Sequence, residues 1–594
     1  MRHGYTARQR ARVRKRTRGT GKLMERDNYW TRRIARRRLL TGSAATALGA
    51  GAWALAGCGD DDDDDDDDGG ASTATATTSG VQPGTQTAPT ATPAGEVIKK
   101  DGINKSRQSA IFATINPYGG LDSGLLWGFT VFDHLWYTPL DTGIRENFLA
   151  TSIEQQDATH FTVVIGESFF HDKAPANGRK VTAQDIKASF ETAAKQTKIS
   201  NSSWWTQTLD TITTPDEKTL NFTLKQVDAW TFSSTNGGSP IGSSILPQEI
   251  AADPSFMDKD LVGSGRFQFV SHENGTNFKL KRHEKWRVSG EPYLAGVEYK
   301  LIQEQAAALA AFSSQEIYGL GLSNKLERED ILNKHGKDVV VESDDSRAVW
   351  VLLPRGDGQW ADPRVIHAIS YALDRKQMIE LMNFGEGKLS GPVPPAFGEA
   401  LPTAEIEQTW GKHDEAEAKK LLAASAFDTS KEYSIKYPTL GDRYQQFATI
   451  AKSQLEKSLG LKIKLVPEDF GRWLSQSLYG SDYDGFLAFA SLAYDDPSSY
   501  ITPYAKSYGG RPNWAGYMND EMDAAVQAQR KILDDKERRA AVQEIQRKAW
   551  TNGAPFIPTF IAISNTAYWG FVKGRVTGRG SYGAFNGKVY IDKG

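Results

Sequence analysis

A chain of 594 residues with one cysteine cannot be held together by disulfides within itself, so its folded part must rest on an apolar core. Other absences narrow the chemistry. The nine histidines form no H-E-x-x-H or comparable metal spacing. No G-x-S-x-G nucleophile elbow and no G-x-x-x-x-G-K-[ST] phosphate loop occurs. The adjacent pair His171-Asp172 is the one tempting catalytic dyad, and neighbours in an extended segment do not line up as a relay. No strong net charge is present either: the formal value is −2. That balance conceals a partition. Residues 1–57 hold 15 Lys or Arg against two Asp or Glu, a net of +13, so residues 58–594 stand at −15. Nine of those charges lie in Asp60–Asp68, and the remaining surplus of about −6 is an ordinary soluble surface with no basic field for nucleic acid.

What is present begins with the placement of the single thiol. A basic tract ends in TRRIARRRLLTG (31–42), and a soft apolar segment, SAATALGAGAWALAG (43–57), follows. Basic, apolar and small-residue regions in that order read as an export signal. A transmembrane anchor over 39–57 is the alternative, weakened by its Gly, Ser and Thr content and by a length that barely reaches a span. Arg36, Arg37 and Arg38 before Leu39 and Leu40, with Arg32-Arg33 as a second pair, resemble a twin-arginine address. Met24 is an alternative start. Leu55-Ala56-Gly57-Cys58 resembles a bacterial lipobox, which would make Cys58 the first mature residue and the point of lipid attachment. A free structural cysteine is the blander reading.

Residues 58–103 read as a tether: the Asp run, then a Thr-, Pro- and Gly-rich tract without an apolar face. Nine adjacent aspartates lack the spaced ligands and turn glycine of a calcium loop, which leaves a solvated spacer.

The remaining body, nearly 500 residues, is long enough for more than one domain. HFTVVIGESFF (160–170) alternates as a strand through Phe161, Val163 and Ile165. Thr182 and Asp185 form a capping pair at the start of a helix in VTAQDIKASFETAAKQ. Leu209 and Ile212, the turn TTPDEKT, and Leu220, Phe222 and Leu224 predict a strand-turn-strand unit. Phe267 and Phe269 with Phe278 and Leu280 predict a hairpin around Asn274-Gly275. One amphipathic helix is expected over 363–382, with Pro363 in its first turn. Further helices are expected at 415–424 and about 444–459, then a strand at 461–467.

Six blocks, in order, resemble the extracellular solute-binding proteins of the peptide/nickel/oligopeptide class that serve ABC transporters. They are FTVVIGESFFHD…VTAQDIKASFE, GSGRFQFV, WADPRVIHAISYALDRKQMIE, GPVPP (391–395), EAKKLLAASAF (417–427) and VPEDFGRWLSQSLYGSDYDGFLAF. Departures are an insertion at 176–180, His367 for a basic residue, and Tyr318 in QEIYG. The resemblance implies an α/β, periplasmic-binding-protein-like fold of type II or cluster C kind. It would have two main lobes with a hinge plus a smaller inserted domain. Lobe I would use 104–132, 247–345 and 561–594; the inserted domain, 133–246; lobe III, 346–560. It also implies solute capture between lobes I and III, a permease and a separate ATPase as partners, no cofactor, no metal, no catalysis, and a monomer. A sensor lipoprotein uncoupled from import is the alternative, with an enzyme a remote third. In AFASLAYDDP (488–497), aligning Pro497 on the family's proline puts Ala493 where peptide binders hold an amine-binding Asp, and Ala490 where they hold a Trp. A peptide or another small solute therefore both stand as ligands. The candidate ligand residues are Tyr494, Asp495, Asp496 and Trp514, then Asp122, Trp127, Trp204, Trp205 and Asn236. The alternative is that Asp495 and Asp496 only shape the turn before Pro497.

Overall fold

The computed structural model describes residues 98–594 apart from 110–113, 119–129, 138–145, 197–203, 230, 232–243, 274–276, 492–495, 509–510, 514, 576–586 and 594. The residues that resemble a lipobox and a twin-arginine address, and the Asp run, lie outside these residues.

The first strand, β1 (Ile103–Gln108), waits for its partners until much later in the chain. Residues 150–224 supply their own sheet from β2 (Ala150–Gln155), β3 (His160–Ile165), β4 (Leu209–Thr213) and β5 (Thr219–Leu224), in the antiparallel order β2-β3-β5-β4. The alternation read in HFTVVI holds: Phe161, Val163 and Ile165 are buried, and Phe161 stacks on Phe222 across the β3–β5 pair with ring centroids 4.6 Å apart. The strand stops at Ile165, short of the expected run to Phe170. Residues 168–170 pair instead with the returning 179–181 segment, the Phe170 N–H donating to the Arg179 carbonyl at 3.0 Å and the Val181 N–H to the Ser168 carbonyl at 2.9 Å. Helix α1 (Ala183–Ala194) starts at Thr182, whose backbone N–H donates to Asp185 Oδ2 at 2.9 Å. The same buried carboxylate accepts from the Gln248 N–H and from Arg179, so one capping residue also ties down the inserted 176–180 loop.

Strands β6 (Phe267–Glu273), β7 (Asn277–Arg282) and β8 (Gly296–Leu301) follow, and β8 lies parallel beside β1, giving the order β1-β8-β7-β6. The expected hairpin is present, with its 274–276 tip outside the described residues.

Helix α2 (Gln305–Ser313) comes next, and the largest sheet spans most of the remaining chain. Its strands are β9 (Gly319–Leu322), β10 (Val339–Pro354), β11 (Gly387–Leu389), β12 (Glu432–Pro438), β13 (Lys462–Glu468), β14 (Phe486–Ala490) and β15 (Ile557–Trp569). The order is β9-β15-β10-β14-β12-β13, with β11 on β15. Strands β12, β13 and β14 run parallel, and their alternating apolar residues are covered by α3 (Pro363–Ala372), α4 (Arg375–Asn383), α5 (Glu415–Ala423) and α6 (Asp442–Leu459). The opposite face of β10 and β14 packs Val349, Val351, Leu487 and Phe489 towards α7 (Asp520–Gln529) and α8 (Asp535–Thr551).

The single helix expected over 363–382 is two. It breaks after Ala372, and Asp374 caps the second segment by accepting from the Gln377 N–H at 2.9 Å. Arg375 explains the break. Its buried guanidinium donates to the carbonyls of Ser370 (2.8 Å), Leu373 (3.1 Å) and Pro558 (3.2 Å), and to Ser370 Oγ (2.9 Å). The carbonyls that end α3 are thus satisfied by a side chain and not by a continuing helix.

Candidate functional site

Two long strands, β10 and β15, lie side by side and belong to both halves of the body. The first part of β10, Val339–Asp345, pairs only with β15, near β9; its last part, Trp350–Pro354, also pairs with β14. Between them the register shifts twice, from Asp345 to Val349 and from Val349 to Val351. Such irregularities locally free a ladder that is otherwise rigid.

The C-terminal end of β14 reaches this irregular point. The Val349 N–H donates to Ser491 Oγ at 3.0 Å, and the Ser491 N–H returns to the Val349 carbonyl at 2.8 Å. Ser491 leads into 492–495 and then into Asp496. Nearby, the Arg347 guanidinium carbon sits 4.9 Å from the Phe397 ring centre, and Tyr500 Oη donates to the Arg347 carbonyl at 2.9 Å. Phe397 and Tyr500 are themselves in ring contact at 5.5 Å. The ends of parallel strands, an irregular crossing strand and the 391–400 loop therefore converge on one place, the usual setting for a ligand in an open α/β sheet.

Of the candidate ligand residues, three are described. Asp496 is 3% exposed, and its Oδ1 accepts from Arg538 Nη2 at 2.7 Å and from the Ser498 N–H at 2.8 Å. Arg538, 2% exposed on its side chain, also donates to Ser498 Oγ (2.6 Å) and Gln529 Oε1 (3.2 Å). Asp496 thus shapes the turn after Pro497 and neutralises a buried arginine. Glu399 lies near this pair, and burial raises its pKa above the ordinary carboxylate value. Trp204 and Trp205 are both buried in a T-shaped pair 4.8 Å apart. Trp204 Nε1 donates to Thr231 Oγ1 at 3.4 Å, and Trp205 packs on Phe190 of α1 at 4.9 Å. Tyr494, Asp495, Trp514, Asp122, Trp127, Asn236 and the lipidation candidate Cys58 lie outside the described residues.

Arg538 was absent from the sequence reading, although its signal is there. It shares a helical stripe with Val542, Ile545 and Ala549, all buried, so periodicity places it on the apolar face of α8.

His171 has a structural position. It is buried, its Nε2 meets the Gly265 carbonyl at 3.1 Å, and the Gly263 N–H points to its Nδ1 at 3.3 Å. His283 Nδ1 meets the same Gly265 carbonyl at 3.1 Å. Burial, then the other histidine, pushes the His171 pKa well down. The FHD and GSG motifs are thereby stitched to one another. His367 likewise serves packing: its Nε2 meets the Trp550 carbonyl at 2.7 Å. Among the described residues no group of three or more His, Cys, Asp or Glu is arranged to hold a metal, and no helix is long and apolar enough to cross a membrane.

Two halves joined by paired long strands, with helices on both faces of a mixed sheet, define a two-lobed α/β protein of the periplasmic-binding-protein kind, type II. Residues 146–512 match the family described as "Bacterial extracellular solute-binding proteins, family 5 Middle", and the chain belongs to that family. Membership of that family makes it a solute-binding protein. Among curated relatives it is 23% identical over 427 residues to oligopeptide-binding protein AppA of Bacillus subtilis, covering 67% of this chain and 75% of AppA. It is 24% identical over 398 residues to heme-binding protein A of Haemophilus influenzae, covering 64% of this chain and 69% of that one. Among solved structures, the binding protein AgaA of A. tumefaciens R10, in complex with agropinic acid, superposes with a TM-score of 0.72 at 22% identity. That match covers 83% of this chain and 99% of AgaA, and it establishes the fold.

Proposed function

We propose that this chain is the lipid-anchored receptor subunit of an ABC importer, delivering a peptide or another small solute to a membrane permease driven by a separate ATPase. The observation that carries the reading is the β10–β15 crossing, with its two register shifts between Asp345 and Val351. Strands that belong to both halves and are irregular at the junction can serve as a hinge, and hinge closure around a solute needs no chemical step. Lobe I (104–132, 247–345, 561–594) and lobe III (346–560) would close on the solute, with 133–246 as the inserted domain. Cys58 would carry the lipid after export through a twin-arginine-like signal, and 58–103 would hold the body off the membrane.

Tyr494, Asp495 and Trp514 are proposed as the principal solute contacts, with Asp122, Trp127 and Asn236 beside them. The relatives' named ligands, oligopeptide, heme and agropinic acid, differ widely in chemistry. Ala493 removes the carboxylate expected for a peptide's α-ammonium, and the Asp496 carboxylate is already engaged by Arg538. Asp495 is therefore the residue on which a peptide reading depends. Mass spectrometry of solutes released by denaturing the gently purified protein tests this. Recovered peptides support the Asp495 anchor, a non-peptide solute supports a changed specificity at Ala493, and a protein that retains no solute from any panel overturns the receptor reading.

A further inference from the structure

Asp228 and Arg530 are 302 residues apart in sequence and form a buried ion pair between the segment that follows the 150–224 sheet and the end of α7. Arg530 Nη2 lies 2.5 Å from Asp228 Oδ2, and Arg530 Nε donates to Oδ1 at 3.3 Å, a two-pronged contact. The Asp228 side chain is 2% exposed and that of Arg530 16%. Thr208 Oγ1, where the chain enters β4, donates to Asp228 Oδ2 at 2.9 Å and fixes the carboxylate from behind. A second bond crosses beside the first: the Ala229 N–H donates to the Arg530 carbonyl at 2.6 Å. That carbonyl is one of those a helix leaves without an intrahelical partner at its C-terminus, and a cation at that end is favoured by the helix dipole. The end of α7 is thus completed from outside its own lobe. The Asp228 turn continues through Thr231 to Trp204, so the buried indole backs the same contact.

Residues 209–224 belong to the four-stranded sheet, whereas α7 packs with α8 against the large sheet. We propose that Asp228 and Arg530 are a positioning pair: a clasp that forms when the two bodies come together and whose strength sets how long a captured solute is retained. This rests on the receptor reading only for its effect on affinity. The apparent affinity of a site is lowered by the fraction of molecules in the binding-competent state, so a weaker clasp weakens retention of any solute without touching it.

Closure can be read without knowing the solute. In the full chain carrying Cys58→Ala, Glu217→Cys and Lys419→Cys would be the only thiols and place one dye on each body. Single-molecule energy transfer in the absence of solute then gives the closed-to-open ratio. Asp228→Asn keeps the side-chain shape and an acceptor for Thr208, and Arg530→Gln alters a side chain that reaches solvent. Each should lower the ratio about tenfold, and the double variant should be no worse than the weaker single, as expected for one shared interaction. Ratios unchanged within about twofold in both singles, or effects that multiply in the double, would overturn the clasp. A changed ratio in a protein that binds no solute would leave the clasp standing and remove the receptor reading.

Discussion

Replacing Asp496 by Ala leaves Arg538 charged, 2% exposed on its side chain, and without its carboxylate. Removing one partner of a buried ion pair costs about 3–5 kcal/mol, because the surviving charge stays desolvated. Arg538 keeps its bonds to Ser498 Oγ and Gln529 Oε1, so the low end, about 3 kcal/mol, is expected. Urea unfolding followed by tryptophan fluorescence reads this as a midpoint lowered by on the order of 1 M, for a slope of ~3 kcal/mol/M. The double variant Asp496→Ala/Arg538→Met removes both charges and should recover most of the loss, to within about 1–2 kcal/mol of the parent. All of this is measured without solute, so it separates a packing role from a ligand role. An Asp496→Ala protein as stable as the parent would refute the reasoning. If Asp496→Asn then weakened binding of a cationic solute at least tenfold at unchanged stability, the carboxylate would be a ligand anchor after all.

Three further outcomes are expected. Cys58→Ala should release the protein from membranes on fractionation, and unchanged retention would remove the lipid-anchor reading. Arg375→Met strips the C-terminal end of α3 and the Pro558 carbonyl of their donor and should cost about 2–4 kcal/mol in the same unfolding assay, since several buried acceptors lose their bonds; a loss below about 1 kcal/mol would show that the helix break does not depend on it. His171 and His283 are both held below the ordinary histidine pKa by burial. The unfolded chain therefore takes up protons that the folded chain refuses, and their stabilising contribution, complete above about pH 6.5, falls as pH drops below it, by up to about 1.4 kcal/mol per histidine per pH unit. A urea midpoint that does not move between pH 7 and 5.5 would contradict this.

The helix at 363–382 shows where local pattern stops being informative. Its apolar stripe continues through Leu373 to Met382 and looks unbroken, but the decision to end α3 is made by Arg375 reaching the Pro558 carbonyl, 183 residues away. Asp496 makes the same point at the candidate site. The DDP turn is visible in the sequence, and so is the stripe that buries Arg538, yet nothing local says that these two meet across 42 residues. The HFTVVI and LKIKLVP strands and the Thr182–Asp185 cap were legible because alternation and capping are properties of neighbours. The order of six motif blocks was legible for a different reason: it carries family membership, and with it the two-lobed fold.

The sequence by itself thus determined most of the local elements, the binding-protein class and the uneven division of charge between residues 1–57, the Asp60–Asp68 run and the remaining chain, because each depends on residues close together in the chain or on their linear order. Tertiary structure alone decided which buried charges neutralise one another, Asp496 with Arg538 and Asp228 with Arg530, and where β10 loses register. Those choices are made by desolvation: a charge carried into the interior must find whichever opposite charge the fold brings within reach, and distance along the chain does not say which one that is.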